Sequence, residues 1–227
     1  MEKLARRIAL IHATPVAMSP IADAFGRLWP EALLMNVLDD SLSADLSRAG
    51  GLDAALTQRF VDLAQYAERA GAHGILFTCS AFGAAIEAAA NAVQVPTLKP
   101  NEAMFLEALT SGNGRAATRI GLVSTFAPSV PSMAEELMGL AKARSLNVEL
   151  STECADGALK ALSAGDAASH DRLVVEHAAR LAQCDVVMLG QFSMARAQQL
   201  VIARTEKTVL TSPDSAVRLL KKALVDA

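Results

Sequence analysis

Short apolar runs alternate with amphipathic stretches along this chain. The runs are Arg7–His12, Leu33–Leu38, Gly74–Thr78, Val95–Leu98, Ile120–Ser124, Asn147–Leu150, Val186–Gly190 and Thr208–Thr211. Most are β-branched or Leu-rich, as strands covered on both faces of a parallel sheet are. The intervening stretches carry a helical period. In 52–70, for example, Leu56, Phe60, Leu63 and Ala67 recur at steps of three and four residues. This alternation predicts βαβ units and a parallel sheet, hence an α/β protein.

The pattern also repeats. Arg7-Ile8-Ala9-Leu10-Ile11 matches Arg119-Ile120-Gly121-Leu122-Val123 at an offset of 112 residues. The same offset carries the run from Gly74 to Cys79 onto the run from Val186 to Gln191, and the helix ending at Ala70 onto the one ending at Ala182. With one residue of slip, Pro100-Asn101-Glu102-Ala103 meets Pro213-Asp214-Ser215-Ala216. Matches in one order at one offset predict a duplication: two pseudo-symmetric, open, parallel-sheet (flavodoxin-like) halves with a cleft between them. The turn-forming SGNGR at 111–115 marks the junction, so the halves are 1–113 and 114–227. The helical stretches 101–109 and 215–224 close the halves, and either one suits packing on the opposite half.

Composition narrows the class. The 227 residues are 52% apolar, with a net charge of −3 and no long basic run, so neither nucleic acid nor an anionic membrane is an expected partner. The apolar run after the basic start, Ile8–Ile11, is too short for a secretory leader, and Pro15 follows it. No run is long enough to span a membrane. Three cysteines without framework spacing read as reduced thiols, which points to the cytoplasm. His12, His73, His170 and His177 form no metal motif. His170 and His177 share a helical face and read as surface residues, and no metal is expected. The high apolar fraction suggests a homo-oligomer, a dimer in the simplest case.

Ligands of open parallel sheets bind beyond the carboxyl ends of the strands. His12 and Thr14 follow the first run, Cys79 and Ser80 the third, and Lys99, Asn101 and Glu102 the fourth. Ser124 and Thr125, then Gln191 and Ser193, then Ser212 and Asp214 hold the matching places in the second half. Cys79 stands out. It ends a strand and opens a helix near Ser80 or Ala81, where backbone N–H groups favour a thiolate. The same position suits a buried structural cysteine, so position alone leaves both readings open. Cys154, in loop-like STECADG, and Cys184, ahead of a strand, lack this setting and read as structural. Asn101 reads as a helix N-cap with Glu102 in the first turn, or else Glu102 borders the cleft. His12 reads equally as a structural strand-end residue or as one that orients substrate. Arg196 reads as a solvated helix residue.

FTCSAFG at 77–83, VPTLKPNEAMF at 95–105 and DVVMLGQFSMA at 185–195 resemble the aspartate/glutamate racemase superfamily, with its hydantoin racemase, maleate isomerase and arylmalonate decarboxylase branches. The resemblance covers nearly the whole chain. It implies a cofactor-independent enzyme in which two cysteines flank a small carboxylate, one removing the α-proton and the other returning a proton on the opposite face. Cys79 matches the first cysteine. The second falls on Gln191, which cannot titrate, so the two-thiol racemase pattern is incomplete. A single thiol leaves proton transfer on one face, protonation after decarboxylation, or addition to a double bond. The first choice is a racemase or isomerase acting at the α-carbon through Cys79. His12, Thr14, Ser80, Ser124, Thr125, Gln191 and Ser193 are the candidate substrate-binding groups, and negative charge on the substrate is what their donors would stabilise. The alternatives are a decarboxylase of a malonate-type acid and a non-catalytic binder of small acids.

Overall fold

The computed structural model describes residues 5–112 and 116–225. Eight strands form two four-stranded parallel sheets. They are β1 (Arg7–His12), β2 (Leu33–Leu38), β3 (Gly74–Phe77), β4 (Thr97–Leu98), β5 (Thr118–Ser124), β6 (Val148–Cys154), β7 (Val186–Leu189) and β8 (Thr208–Thr211). The sheet orders are β2-β1-β3-β4 and β6-β5-β7-β8, one topology used twice. The register repeats too: Ile8 lies opposite Gly74 and Ile120 opposite Val186, while Ile75 lies opposite Thr97 and Val187 opposite Val209. These pairs keep the offset of 112 residues seen in the sequence.

Strand composition follows from burial. Ile120 and Leu122 of β5 and Val186 and Met188 of β7 face one apolar cluster. Val123, Val187 and Leu189 face another on the opposite side. Both faces are covered, so the runs show no polar alternation. β6 departs from this. The sequence predicts a strand over Asn147–Leu150, whereas β6 pairs with β5 along the whole of Val148–Cys154. It is an edge strand, so Ser151, Thr152 and Glu153 are tolerated there, and the polar run reads as a loop. β4 keeps only Thr97 and Leu98. Pro96 before it has no N–H to give to a ladder.

By compactness the chain divides into two units. One takes the chain through Pro100 together with the stretch from Ala216, and the other is Asn101–Ser215. The junction expected at 113/114 lies outside the described residues. In the first unit, Phe60 packs its ring 5.4 Å from that of Phe77 and 4.7 Å from that of Phe82. The helix Ser212–Val225 brings Leu220 and Leu224 over Gly74 of β3. In the second unit, the helix Glu102–Leu109 buries Met104, Phe105 and Ala108 against Ile120, Leu122 and Met188. Among the described residues, no helix is long and apolar enough to cross a membrane.

Candidate active site

In the first unit, β1 and β3 run side by side and end together. Thr78 N–H donates to the Ile11 carbonyl at 3.0 Å, which carries the pairing one residue past β3. Cys79 follows in extended conformation (φ −120°, ψ 122°). It heads a three-residue 3₁₀ turn, Ser80–Phe82, which leads into the helix Gly83–Asn91. So short a turn aligns few N–H groups. Burial pushes the Cys79 thiol above its ordinary value, and the N–H of Ala81 pulls it only partly back. The sequence-based expectation of a depressed thiol is therefore corrected: desolvation outweighs the turn, and the partly exposed thiol holds its proton at neutral pH.

Cys79, His12, Ala13, Leu42, Phe60 and Phe77 meet around a tight recess at the strand ends that leaves no room for a water molecule. A larger surface hollow, about 430 Å³, lies between the helices Leu42–Ala49 and Ala54–Arg69. No strand-end residue lines it, and its Arg48, Arg59 and Asp45 are taken up in ion pairs with one another. Chemistry therefore favours the smaller recess.

His12 is fully buried. Its Nδ1 lies 2.9 Å from Thr78 Oγ1 and its Nε2 lies 3.0 Å from Asn36 Oδ1. Burial pushes its pKa below the ordinary value, so the ring is neutral, even though the Asn36 bond pulls the other way. An amide oxygen only accepts, so Nε2 carries the proton and Nδ1 accepts from the Thr78 hydroxyl. The Thr78 hydroxyl, next in sequence to Cys79, is thus engaged by His12 rather than by the thiol. Thr14 and Ser80 are partly exposed at the same sheet edge. Thr14 precedes the 3₁₀ turn Pro15–Ala17 without capping it.

The second unit carries Gln191 where the first has Cys79. It too heads a 3₁₀ segment after a strand, Phe192–Ala197. Gly190 before it is closely packed: an added Cβ would stand 3.1 Å from Met133 Sδ and 3.2 Å from the Val123 carbonyl, so these neighbours would have to give way. The Gln191 amide is fully engaged. Oε1 accepts from Thr125 N–H at 2.8 Å and from the Thr125 hydroxyl at 3.3 Å. Nε2 donates to Ser124 Oγ at 2.9 Å and to Ser129 Oγ at 3.2 Å. Ser124, Thr125 and Gln191 therefore come together as the sequence suggests, but they satisfy one another. Ser193 is buried two residues further on.

Several sequence readings change. Cys154 closes β6 rather than lying in a loop, and burial together with Asp156 and Glu153 pushes its thiol up to about 11. His170 is buried, with Nδ1 2.8 Å from Asp171 Oδ1, not on the surface. Arg196 is held by the same Asp171 through its Nε. Asn101 makes no side-chain cap. Instead its Oδ1 accepts from the Ser212 hydroxyl at 2.6 Å. Asn36 and Ser129 were not anticipated. Only Asn36 left a signal, as the one polar residue in LLMNVL.

Two parallel sheets of identical strand order, with a thiol beyond the third strand of the first, define a duplicated open α/β protein. Residues 13–220 match the Asp/Glu/Hydantoin racemase family, and the chain belongs to that family. No curated protein sequence matches it significantly. Among solved structures, a glutamate racemase isoform from Bacillus anthracis aligns with a TM-score of 0.70 at 14% identity, over 98% of this chain and 82% of the other. The aspartate racemase of Picrophilus torridus aligns at 0.72 and 11% identity, over 97% and 94%. Unliganded arylmalonate decarboxylase aligns at 0.59 and 18% identity, over 95% and 93%. At these identities the likeness concerns the fold.

Proposed function

We propose that the protein is a cofactor-independent enzyme that transfers a proton at the α-carbon of a small carboxylate, with the Cys79 thiol as the acid–base group. The observation that carries this reading is the asymmetry of the two strand ends. Cys79 is a partly exposed thiol, packed at the margin of the first apolar cluster. Gln191, at the equivalent place, has no titratable group and is latched by four hydrogen bonds. Family membership supports the racemase-like class.

In the isomerase direction, the Cys79 thiolate, a minor form at neutral pH, takes the α-proton. The electron pair passes into the carboxylate as an enediolate, and the thiol returns a proton to carbon. A second reading, decarboxylation of a malonate-type acid, is favoured by the raised thiol. The C–CO₂ bond breaks, its electron pair forms the enediolate, and the thiol protonates carbon and then recovers a proton from water. This direction needs the protonated form that burial already stabilises.

A panel of small mono- and dicarboxylates, followed by solvent-deuterium incorporation and by CO₂ release, separates the two directions. For any substrate found, Cys79→Ser should lower turnover by about a thousand-fold or more, because a hydroxyl is a far weaker acid than a thiol. Turnover that survives this change refutes the role of Cys79.

A further inference from the structure

We propose that His12 is a positioning residue: sealed from solvent, it holds the Thr78 hydroxyl and thereby sets the place of the Cys79 thiol beyond the end of β3. His12 and Cys79 line the same recess. Both ring nitrogens of His12 are occupied, one by Thr78 Oγ1 at 2.9 Å and the other by Asn36 Oδ1 at 3.0 Å. Asn36 fixes the proton on Nε2, which leaves Nδ1 as the acceptor. Thr78 then has a donor's role toward His12 at the shorter distance; its hydroxyl also lies 3.4 Å from the Ile11 carbonyl, which accepts from the Thr78 N–H at 3.0 Å. The residue before the thiol is therefore pinned through side chain and backbone, while the thiol itself has only the backbone N–H of Ala81.

The duplication supplies the internal comparison. Ser124 ends β5 as His12 ends β1, and each reaches from its strand end to the turn after the neighbouring strand. Ser124 grasps the site residue itself, accepting from Gln191 Nε2 at 2.9 Å. His12 stops one residue short, at Thr78. In the second unit the site side chain is consumed by the grip; in the first it is placed and left free to react. That difference is what a reactive group needs, since positioning is effective only when the reacting atom is not itself tied up.

The inference rests on the reading of Cys79 as the acid–base group, but its test reads a thiol reaction rather than turnover. Iodoacetamide alkylation of the folded full-length protein is followed at each cysteine by mass spectrometry, with Cys154 and Cys184 as internal references. Thr78→Val removes the hydroxyl at nearly constant volume, and Thr78→Ser retains it. His12→Asn puts an amide near the place of Nδ1, while His12→Gln puts one near Nε2. Thr78→Val and His12→Gln should shift the Cys79 alkylation rate about five-fold from wild type, the factor one lost buried hydrogen bond supplies, with Thr78→Ser and His12→Asn within about two-fold. The reference cysteines should not change. If the His12 variants do not fold, the Thr78 pair decides alone. The proposal is overturned if Thr78→Val leaves the Cys79 rate within about two-fold of wild type, a change smaller than one hydrogen bond gives. It is equally overturned if all three cysteines speed up together, which reports a loosened fold. Loss of the proposed activity reading, through turnover that survives Cys79→Ser, leaves this outcome untouched.

Discussion

His12 shows how a single buried side chain couples the site to solution conditions. Burial holds its pKa below 6.5, the ordinary value, so the folded protein resists a proton that the unfolded chain accepts. The unfolded state binds more protons as pH falls below 6.5, so the stabilisation is complete above that value and is lost on acidification. His12→Asn removes this titration and keeps a group near Thr78. Thermal melts at about pH 7.5 and about pH 5.5 should therefore show a smaller acid-side loss in Tm for the variant than for wild type. Equal losses in both proteins would mean that His12 is not the group responsible. Gln191 makes the complementary point. Its amide is as well satisfied as a core group, so its contribution is to the local fold of the strand end. Gln191→Ala should destabilise the protein by about 2 kcal/mol in urea unfolding, because Ser124, Ser129 and the Thr125 N–H lose a shared partner.

Strands and helices meet closely enough here for one methyl group to matter. A Cβ on Gly74 would stand 3.0 Å from Leu224 Cδ1 and 3.3 Å from Leu220 Cδ2. The helix Ser212–Val225 thus lies directly on β3, the strand that delivers Cys79. Gly74→Ala gains about 0.5 kcal/mol from a stiffer unfolded chain but forces the two leucines aside, for a net loss of about 1 kcal/mol. Chemical denaturation measures this, and a stabilised variant would show that the leucines yield freely. At the same scale, β6 explains why an edge element is hard to read. Its Ser, Thr and Glu residues resemble a loop in sequence, yet seven consecutive pairs with β5 make it one of the two longest strands. Strand pairing is a property of the neighbour as much as of the segment.

For the molecule as a whole, the discontinuity of the first unit has a testable consequence. Ala216, Val217 and Leu220 are fully buried. They come from the far end of the chain, yet they count with the unit that holds Cys79. Burying a Val and a Leu contributes about 3–5 kcal/mol, a large share of the roughly 5–15 kcal/mol that holds a domain folded. A chain ended after Ser215 should therefore lose the native state of its first unit. Limited proteolysis should then cut within residues 5–100, a region the full chain protects. Continued protection would show that β1 to β4 hold without that helix.

Periodicity and the offset of 112 residues carried the sequence to the strands, the parallel class and the duplication. These follow from local burial: a strand covered on both faces must be apolar along its length, and a duplicated unit repeats that demand. The place of Cys79 was legible for the same reason, because a strand end is a position along the chain. What the sequence could not determine depends on groups far apart in it. The pKa direction at Cys79 turns on its burial beside Leu42 and Phe60, and the tautomer of His12 on Asn36, 24 residues away. Gln191 is latched by Ser124, 67 residues earlier. Whether a polar group is free to act or already satisfied is decided by its neighbours in space, and only the tertiary structure brings those neighbours together.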